Sequence, residues 1–332
     1  MILITGTYPP ERCGVGDYSQ HLLNTAVGKS WTLFYRQEWR WRNLRAYLAD
    51  LRNMEDKTIN LQYPTMGYGT SLVPHVLMMC AVLLLGKRLY ITVHEYSQLG
   101  WKGKMALNLL FLFAKDVVFT TSFELECARK HNPWMRKGQV VKIRSNIPAV
   151  SGKPMGERHW DVGYFGYIRP LKGLEEFVDV AGQLQQAGKR VYVMGQVQPE
   201  FESFHRPLLQ LLKQKGITYF GNCTQDEVAQ QLSDTKIMYL PYPDGLSERR
   251  GSFLAAVVNG AAVISREGAF TSRQQREKFS LVNPDQACAQ ISGWLDDKEW
   301  LDEQQRRSLS YAAESVPTSW EQIVDEYMHI MR

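Results

Sequence analysis

The feature that most constrains the fold is a regular alternation of short apolar runs with longer amphipathic segments. Most of the apolar runs are four or five residues long and continuous, which is typical of strands buried on both faces of a parallel sheet. The predicted strands are residues 2–5, 31–35, 59–62, 89–93, 117–121, 140–143, 161–165, 191–194, 217–220, 236–240, 261–264 and 279–282. Segments between them, such as 174–187 and 225–233, carry apolar residues three and four positions apart and are predicted helices. The alternation predicts an α/β protein built from doubly wound, Rossmann-like units.

The length and one irregular segment predict two domains. The 332 residues correspond to about two domains of usual size. The best linker is 147–158, because it carries two prolines and two glycines and has no apolar periodicity. We therefore predict one domain over 1–150 and a second over 151–314. Open parallel sheets bind ligands at the carboxyl ends of their strands, so we expect both domains to present loops to a central cleft.

Charge is divided unevenly between the two halves. The chain holds 39 Lys and Arg against 34 Asp and Glu, but residues 1–150 carry a net charge of +9 and residues 151–332 one of −4. This asymmetry predicts different ligands for the halves, and a basic half favours nucleic acid or an anionic membrane as a partner. Because the sequence shows no RNA- or DNA-binding module, we do not expect a nucleic-acid partner.

The cysteines and the apolar segments indicate the cellular compartment in which the protein is expected. The five cysteines are odd in number and form no C-x-x-C motif, which disfavours disulfides and a zinc ribbon and favours a reducing compartment. The opening residues predict a strand rather than a signal peptide. The longest apolar run, 76–85, is shorter than the roughly 20 residues that cross a bilayer. We expect a buried helix there, with an in-plane membrane contact as the alternative, and a cytoplasmic protein, free or peripheral on the inner face of the plasma membrane.

The first candidate site follows the first strand. Gly14, Val15 and Gly16 lie in a Pro- and Gly-rich loop, and a helix is expected from about Asp17, followed by Tyr18. Glycines admit close approach of a ligand, and the helix N-terminus offers N–H groups to an anion. Ser19 occupies the position of the third glycine in a dinucleotide fingerprint, which disfavours NAD. A plain tight turn capped by Asp17 is the structural alternative.

The second candidate is the pair His94 and Glu95 at the carboxyl end of strand 89–93. A histidine there can hydrogen-bond a phosphate or sugar hydroxyl and can move a proton. The alternative is a strand-end histidine bonded to backbone.

The third candidate is the loop after strand 161–165, which contains Gly166, Arg169 and Lys172. Arginine supplies a two-pronged donor and lysine a point charge, and together they suit a diphosphate. Two solvated surface charges are the alternative.

The fourth candidate is the polar loop after strand 236–240. A short helix is expected after it, ending near Asn259 with Gly260 as its stop. Glu248 suits sugar hydroxyls, whereas Arg249 and Arg250 suit either phosphate or a solvated loop. The predicted ligand-binding residues are Ser247, Glu248, Arg249, Arg250, Gly251 and Ser252, the last two opening the helix as an anion site.

Taken in order along nearly the whole chain, these pieces resemble a retaining, family-4 glycosyltransferase of the GT-B fold. The further pieces that carry the resemblance are Tyr8-Pro9-Pro10, Thr121-Ser122-x-Glu124, Ser145-Asn146-Ile147-Pro148 and Gly260-Ala261-Ala262-Val263-Ile264. The resemblance implies transfer of a sugar from a UDP- or GDP-sugar to a sugar or lipid-linked glycan hydroxyl, in bacterial surface polysaccharide synthesis. It implies no metal or other cofactor, and a terminal helix at about 315–332 that returns to the first domain.

The resemblance also assigns roles to residues. It places Gly14, Val15, Gly16, Gly166, Arg169, Lys172 and the segment 247–252 at the donor, with Asp17, Tyr18 and Glu95 on the acceptor side. It implies catalytic roles for His94, Lys172, Arg169 and Glu248. The leaving diphosphate is expected to be neutralised by Arg169, Lys172 and the Gly251 helix, so that no protein nucleophile is required.

Two departures from the family pattern concern donor recognition. The usual arginine after the loop glycine is Tyr167 here, and Arg169 is expected to substitute for it. The family's paired glutamates fall on Ser247 and Ala255, and alanine cannot hold a ribose. A silent sugar-nucleotide-binding partner of another transferase and a GT-B epimerase therefore remain as alternatives.

Two segments are candidate contacts with anionic lipid. Residues 36–45 are basic and aromatic, and residues 101–115 are basic and strongly apolar. An ordinary buried helix with surface arginines is the alternative.

Overall fold

The computed structural model describes residues 1–11, 13–132, 135 and 137–332. The described residues form two compact units. The amino-terminal unit comprises residues 1–143 and 317–332, and the carboxyl-terminal unit comprises residues 144–316. The chain thus leaves the first unit at Ile143, and the segment 147–158 lies within the second.

The amino-terminal unit is a parallel sheet with the strand order β2-β1-β3-β4-β5-β6. Its strands are β1 (Ile2–Thr5), β2 (Thr32–Tyr35), β3 (Thr58–Tyr63), β4 (Arg88–Val93), β5 (Ala114–Phe119) and β6 (Gln139–Val140). Its helices are α1 (Gly14–Asn24), α2 (Leu44–Asn53), α3 (Val73–Leu85), α4 (Trp101–Phe111), α5 (Ser122–His131) and a terminal helix (Trp320–Ile330).

Helices cover both faces of this sheet, which explains why its strands are continuous apolar runs. Ile2 and Ile4 of β1 point into one core cluster, whereas Leu3 between them belongs to the other. The first cluster lies beneath α2, α3 and α4, and the second contains Ile323 and Tyr327 of the terminal helix. The sheet therefore has no solvent-facing side at its centre, as the sequence pattern predicts.

The carboxyl-terminal unit repeats this architecture with the strand order β12-β11-β10-β7-β8-β9. Its strands are β7 (Trp160–Phe165), β8 (Val191–Met194), β9 (Thr218–Phe220), β10 (Thr235–Leu240), β11 (Ala262–Ser265) and β12 (Ser280–Leu281). Its helices are α6 (Leu174–Gln186), α7 (Glu202–Gln214), α8 (Gln225–Ser233), α9 (Gly251–Val258), α10 (Arg273–Lys278), α11 (Pro284–Leu295) and α12 (Lys298–Ser315).

The sequence pattern thus predicts the fold class and the place of every strand in the described residues. The largest departure is β6, which spans only Gln139–Val140 where a strand over 140–143 is predicted. The apolar run 76–85 lies in α3. Within the ranges that the structure describes, every helix is too short or too polar to cross a membrane.

Candidate functional site

Neighbouring loops touch at the carboxyl end of the second sheet. The strands β8, β7 and β10 are adjacent and parallel, so their carboxyl ends meet at one edge. A β-carbon at Gly195, after β8, would lie 1.8 Å from the carbonyl oxygen of Gly166, after β7. One at Gly173 would lie 1.9 Å from the carbonyl oxygen of Pro241, after β10. Because these glycines have no side chain, the three loops pack against each other and form one surface.

The β7 loop, residues 166–173, carries the predicted cations Arg169 and Lys172. Arg169 is half-buried, and its Nε has no hydrogen-bond partner among the described residues. The backbone carbonyl of Lys172 accepts a hydrogen bond of 3.1 Å from the Tyr164 hydroxyl. Between the two cations, Leu171 has a left-handed φ of 62° and is 78% exposed. Non-glycine residues in this conformation are strained, and such strain clusters at ligand sites.

The buried Tyr164 hydroxyl lies at the carboxyl end of β7, between the β7 and β10 loops. Burial raises the pKa of Tyr164 well above its usual value, and the positive charges of Arg250 and Arg169 oppose that rise. Glu175 and Tyr242 add to the rise. The β7 loop carries two cations and no anion, whereas the β10 loop carries two of each. The β7 and β10 loops together create a positive region at this edge.

The β10 loop, residues 241–250, holds its two arginines tightly. Arg250 donates to both carboxylate oxygens of Asp244, and Arg249 lies 3.7 Å from the same carboxylate. Arg249 also stacks over Phe270 at 4.4 Å, and Arg250 over Tyr242 at 4.8 Å. These are therefore not solvated loop charges. Two guanidinium groups share one carboxylate.

Helix α9 presents an open N-terminus beside this cluster. It begins at Gly251, and the side chain of its N-cap residue, Arg250, makes no capping hydrogen bond. A β-carbon at Gly251 would have nothing within 4 Å, while the Ser252 hydroxyl lies 2.7 Å from that of Tyr242. The predicted stop is confirmed, because Gly260 has a left-handed φ of 65°. The Phe253 N–H faces the Tyr242 hydroxyl, which leaves the N–H groups of Gly251 and Ser252 available to an anion.

The two positions at which the resembled family carries glutamates hold Ser247 and Ala255 in this chain. Ser247 is buried, and its Oγ accepts a long 3.5 Å hydrogen bond from the Arg249 backbone N–H. Ala255 is completely buried within α9. Glu248 is half-buried, and its charge contributes to the raised pKa of Tyr311, a shift caused mainly by burial. Neither Ser247 nor Ala255 offers a carboxylate to a ribose.

In the amino-terminal unit, α1 begins at Gly14 rather than near Asp17. Gly14, Val15 and Gly16 therefore form the first helical turn and not a preceding loop, because Asp17 already donates its N–H to the Cys13 carbonyl. Arg12 of the same motif lies outside the described residues. Asp17 is half-buried, and burial raises the pKa of its carboxyl.

The two glycines of this turn have different surroundings. A β-carbon at Gly16 would lie 3.0 Å from the Thr7 carbonyl oxygen, whereas one at Gly14 would meet nothing within 4 Å. Gly16 is thus needed for packing of the helix on the loop after β1. Gly14 leaves space at an N-terminus that no side chain in the described part of the chain caps.

His94 sits at the carboxyl end of β4, at the end of a buried polar chain. Its Nε2 lies 2.8 Å from Gln62 Oε1, and the Gln62 amide donates in turn to Asn60 Oδ1. Since the Gln62 NH₂ group faces Asn60, its carbonyl oxygen faces the histidine, which must carry its proton on Nε2. Burial lowers the pKa of His94 to about 3, so the ring is neutral. Its Nδ1 is left as an acceptor that makes no hydrogen bond to the described residues.

Tyr18 connects His94 to the terminal helix. The ring of Tyr18 meets the His94 ring edge-on with centroids 5.2 Å apart, and its hydroxyl donates to that of Tyr327 at 3.1 Å. Both tyrosines are buried. The terminal helix therefore supports the histidine through Tyr18.

The loop after β4, which carries Glu95, is fixed by a buried carboxylate. Glu124 is fully buried and accepts hydrogen bonds from Ser97 N at 2.6 Å and Ser97 Oγ at 2.7 Å. Its own N–H is capped by the Thr121 hydroxyl at 3.2 Å. Glu95 is half-buried at the start of this loop. The Thr121-Ser122-x-Glu124 piece thus holds the backbone next to His94.

Each unit brings several predicted residues together. Adjoining loops of the carboxyl-terminal unit hold Gly166, Arg169, Lys172 and the segment 247–252, while Tyr18 contacts His94 in the amino-terminal unit. Sequence reasoning missed the supporting residues Tyr164, Asp244, Asn60, Gln62 and Tyr327. Asn60 and Gln62 had a usable signal, because they are polar residues two apart in an otherwise apolar strand. In the described ranges, no group of three or more His, Cys, Asp and Glu side chains forms a metal-binding cluster.

Comparison with known proteins connects this architecture to solved structures. No family model matches the chain, and no curated protein sequence matches it. HepE from Anabaena, solved with UDP and glucose, matches with a TM-score of 0.69 and 11% identity, over 99% of this chain and 98% of that one. Sucrose-phosphate synthase from Thermosynechococcus elongatus matches with a TM-score of 0.73 and 14% identity, over 99% and 97%. A glycosyltransferase from Rickettsia africae matches with a TM-score of 0.72 and 11% identity, over 99% of this chain and 97% of that one.

The chain has the GT-B fold. The matches cover each chain almost end to end, so the likeness includes both Rossmann-like units and not one common module. At 11–14% identity the likeness is one of fold. The sites of this GT-B protein therefore have to be argued from its own residues.

Proposed function

We propose that the chain is a retaining glycosyltransferase that moves a sugar from a UDP- or GDP-sugar to a hydroxyl of a sugar or lipid-linked glycan. The observation that carries the proposal is the positive edge of the carboxyl-terminal unit, where Arg169, Lys172 and the open N-terminus of α9 lie on adjoining loops. The full-length likeness to HepE, whose structures hold UDP and UDP-glucose, supports this choice of donor. Synthesis of cell-surface polysaccharide is the proposed setting.

The diphosphate of the donor binds at this positive edge. Arg169 is the best-placed cation, because its Nε is buried without a partner in the described residues and gains one when phosphate arrives. The α9 N–H groups add oriented dipoles. Arg249 and Arg250 keep their shared Asp244 and are therefore less available to the diphosphate than Arg169.

In the proposed reaction, the bond between the sugar and the diphosphate breaks as negative charge grows on the leaving oxygen. Cations and N–H groups placed before the reaction stabilise that charge without reorganising. The acceptor hydroxyl attacks the same face of the sugar and gives its proton to the leaving phosphate. No protein nucleophile, metal or other cofactor takes part in this scheme.

His94 serves as a hydrogen-bond acceptor rather than as a general base. With a pKa of about 3, the ring is a poor proton acceptor near neutral pH. Its unprotonated Nδ1 accepts a hydrogen bond from a substrate hydroxyl instead. Asp17, Tyr18 and Glu95 accompany it in the amino-terminal unit, which we assign to the acceptor.

A second candidate function is a sugar-nucleotide-binding partner that supports another transferase. The observation that favours it is the absence of both family glutamates, with Ala255 fully buried in α9 and Ser247 bonded to its own loop. A donor bound without these carboxylates has fewer contacts to its ribose and sugar.

Screening nucleotide sugars distinguishes the two functions. Thermal-shift measurements with UDP- and GDP-sugars identify the donor, and assays of nucleoside diphosphate release with glycan acceptors follow. Binding with acceptor-dependent release supports the transferase, and NMR of the product then reports whether the anomeric configuration is retained. Binding without release under any acceptor supports the partner, whereas no binding contradicts both.

A further inference from the structure

Helix α4 has two apolar faces, although only one of them lies in the core. Its inward face buries Leu107, Leu110 and Phe111. Its outward side exposes Trp101, Met105 and Leu109, and Leu112, the residue just after the helix, is exposed as well. Their spacing of four, four and three residues places them along one stripe. A surface helix normally carries polar residues on this side, so the stripe needs an explanation.

The end of α3 extends the stripe into a wider surface. Leu83 and Leu84 are each 66% exposed, and Trp101 is 68% exposed. Helices α3 and α4 pack side by side on the same face of the sheet. We call Leu83, Leu84 and the four exposed residues of the α4 stripe the apolar surface. Several large apolar side chains exposed on neighbouring helices are typical of a protein or membrane contact.

The charges within α3, α4 and the residues up to Lys115 are all positive, and Asp116 follows directly. Residues 73–85 and 101–115 contain no Asp or Glu, whereas Lys102, Lys104 and Lys115 flank the stripe. Lys102 and Lys115 are exposed, and Lys102 Nζ lies 5.5 Å from the centre of the Trp101 ring. Apolar side chains beside tryptophan and lysine are the composition of segments that lie in a membrane interface.

We infer that the apolar surface binds the face of an anionic lipid bilayer. The leucines and Met105 enter the boundary of the acyl chains, Trp101 sits at the headgroup level, and the lysines pair with lipid phosphates. A second copy of this chain fits less well, since a twofold interface would set lysines against lysines. The inference goes beyond sugar transfer and does not rest on it.

The other candidate lipid contact, residues 36–45, does not belong to this surface. Trp39 is buried in the core, and Arg36 pairs with Asp50 at 2.7 Å. Arg42 is likewise paired with Glu38 at 2.8 Å. Most of the basic and aromatic character of that segment is thus used within the fold, although Trp41 is exposed.

Vesicle flotation tests the inference with the whole chain. The probes are phosphatidylcholine vesicles with and without phosphatidylglycerol, at low and high salt. The variant Leu109→Glu/Leu112→Glu places charges at exposed positions, and the matched control Leu309→Glu changes an exposed leucine of α12 in the other unit. We expect wild type and control to float with the anionic vesicles, and the double variant to lose binding by at least about 100-fold. Replacing Lys102 and Lys115 with glutamine should weaken binding to the anionic vesicles by about fivefold for each charge removed.

Three results would overturn the inference: no flotation of wild type with anionic vesicles, equal flotation of the double variant, or a dimer in light scattering that the double variant disrupts. Urea unfolding of each variant tests whether its fold is intact. Release of nucleoside diphosphate with a water-soluble acceptor separates the two proposals, because the double variant should keep that activity while losing vesicle binding.

Discussion

His94 Nε2 lies 2.8 Å from Gln62 Oε1, which fixes both the protonated nitrogen of the ring and the orientation of its free one. Gln62 lies in β3 and His94 directly follows the neighbouring strand β4, and Asn60 orients the amide of Gln62. Gln62 is therefore a positioning residue for the proposed acceptor nitrogen. Gln62 and Asn60 are both buried, and hydrogen bonds between Asn60 and Thr92 hold Asn60 in place.

Replacing Gln62 with leucine should lower kcat about tenfold to 100-fold and change KM for the donor less. The buried Nε2–H group loses its acceptor, which also costs about 1–3 kcal/mol of stability. Gln62→Glu keeps an acceptor but adds a negative charge, which raises the pKa of His94 and should move the acid limb of the pH–rate profile to higher pH. The exposed Gln186→Leu is the control. An unchanged pH profile in Gln62→Glu would show that the contact is only structural.

The free energy of unfolding should fall as the pH drops below about 6.5. Burial lowers the pKa of His94 to about 3 and that of His75 to about 4, while unfolded histidines titrate near 6.5. Between these values the unfolded chain binds more protons than the folded one, so acid favours unfolding, by about 1.4 kcal/mol per pH unit for each histidine.

The variant His75→Phe isolates one of these contributions. Both ring nitrogens of His75 are buried without a partner in the described part of the chain, and the ring packs edge-on against Tyr63. We expect the variant to be at least as stable as wild type at pH 7 and less sensitive to acid between about pH 6.5 and 4. Urea unfolding at several pH values measures both. A variant that is less stable at pH 7 with the same acid sensitivity would contradict the assignment.

Gly14 and Gly16 should respond oppositely to alanine. Gly16→Ala pushes a methyl group against the Thr7 carbonyl and should cost about 1–2 kcal/mol of stability. Gly14→Ala has room and should leave stability unchanged or slightly raised, while the added methyl lowers transfer at the helix N-terminus. Thermal unfolding and turnover measure the two effects. Full activity of Gly14→Ala would remove this N-terminus from the site.

Leu171→Asn should stabilise the β7 loop by about 1 kcal/mol. Asparagine tolerates the left-handed conformation that leucine adopts there with a φ of 62°. Because the Leu171 side chain is exposed, little packing is lost. The melting temperature should rise with donor turnover intact, and a fall would argue against this loop geometry.

The strands could be predicted from sequence because each is a continuous apolar run buried on both faces, as Ile2, Leu3 and Ile4 illustrate. The start of α1 was predicted too late. Glycine has a poor helix propensity, yet Gly14 and Gly16 lie in the first turn of the helix, where Gly16 packs closely on the Thr7 carbonyl. Propensity alone cannot report that contact.

Lys172 and His94 could be proposed from the sequence because each residue type carries its own chemistry, and their roles stay predictions. The supporting contacts of the candidate site could not be predicted, because they join residues that are distant in sequence. Gln62 lies 32 residues from His94, and Tyr327 lies 309 residues from Tyr18. The pairing of Asp244 with Arg249 and Arg250 is local, but sequence alone does not separate a buried cluster from a solvated loop.

The most direct test of the central claim is the rate of nucleoside diphosphate release by Lys172→Ala, compared with wild type and with Lys189→Ala. Lys189 forms a 2.8 Å ion pair with the exposed Asp296, away from the β7 loop in sequence, and serves as the matched control. We predict that Lys172→Ala folds normally and loses at least about 100-fold in turnover with the best donor, because leaving-group charge is no longer neutralised, while Lys189→Ala stays near wild type. Near-normal release by Lys172→Ala would contradict the account.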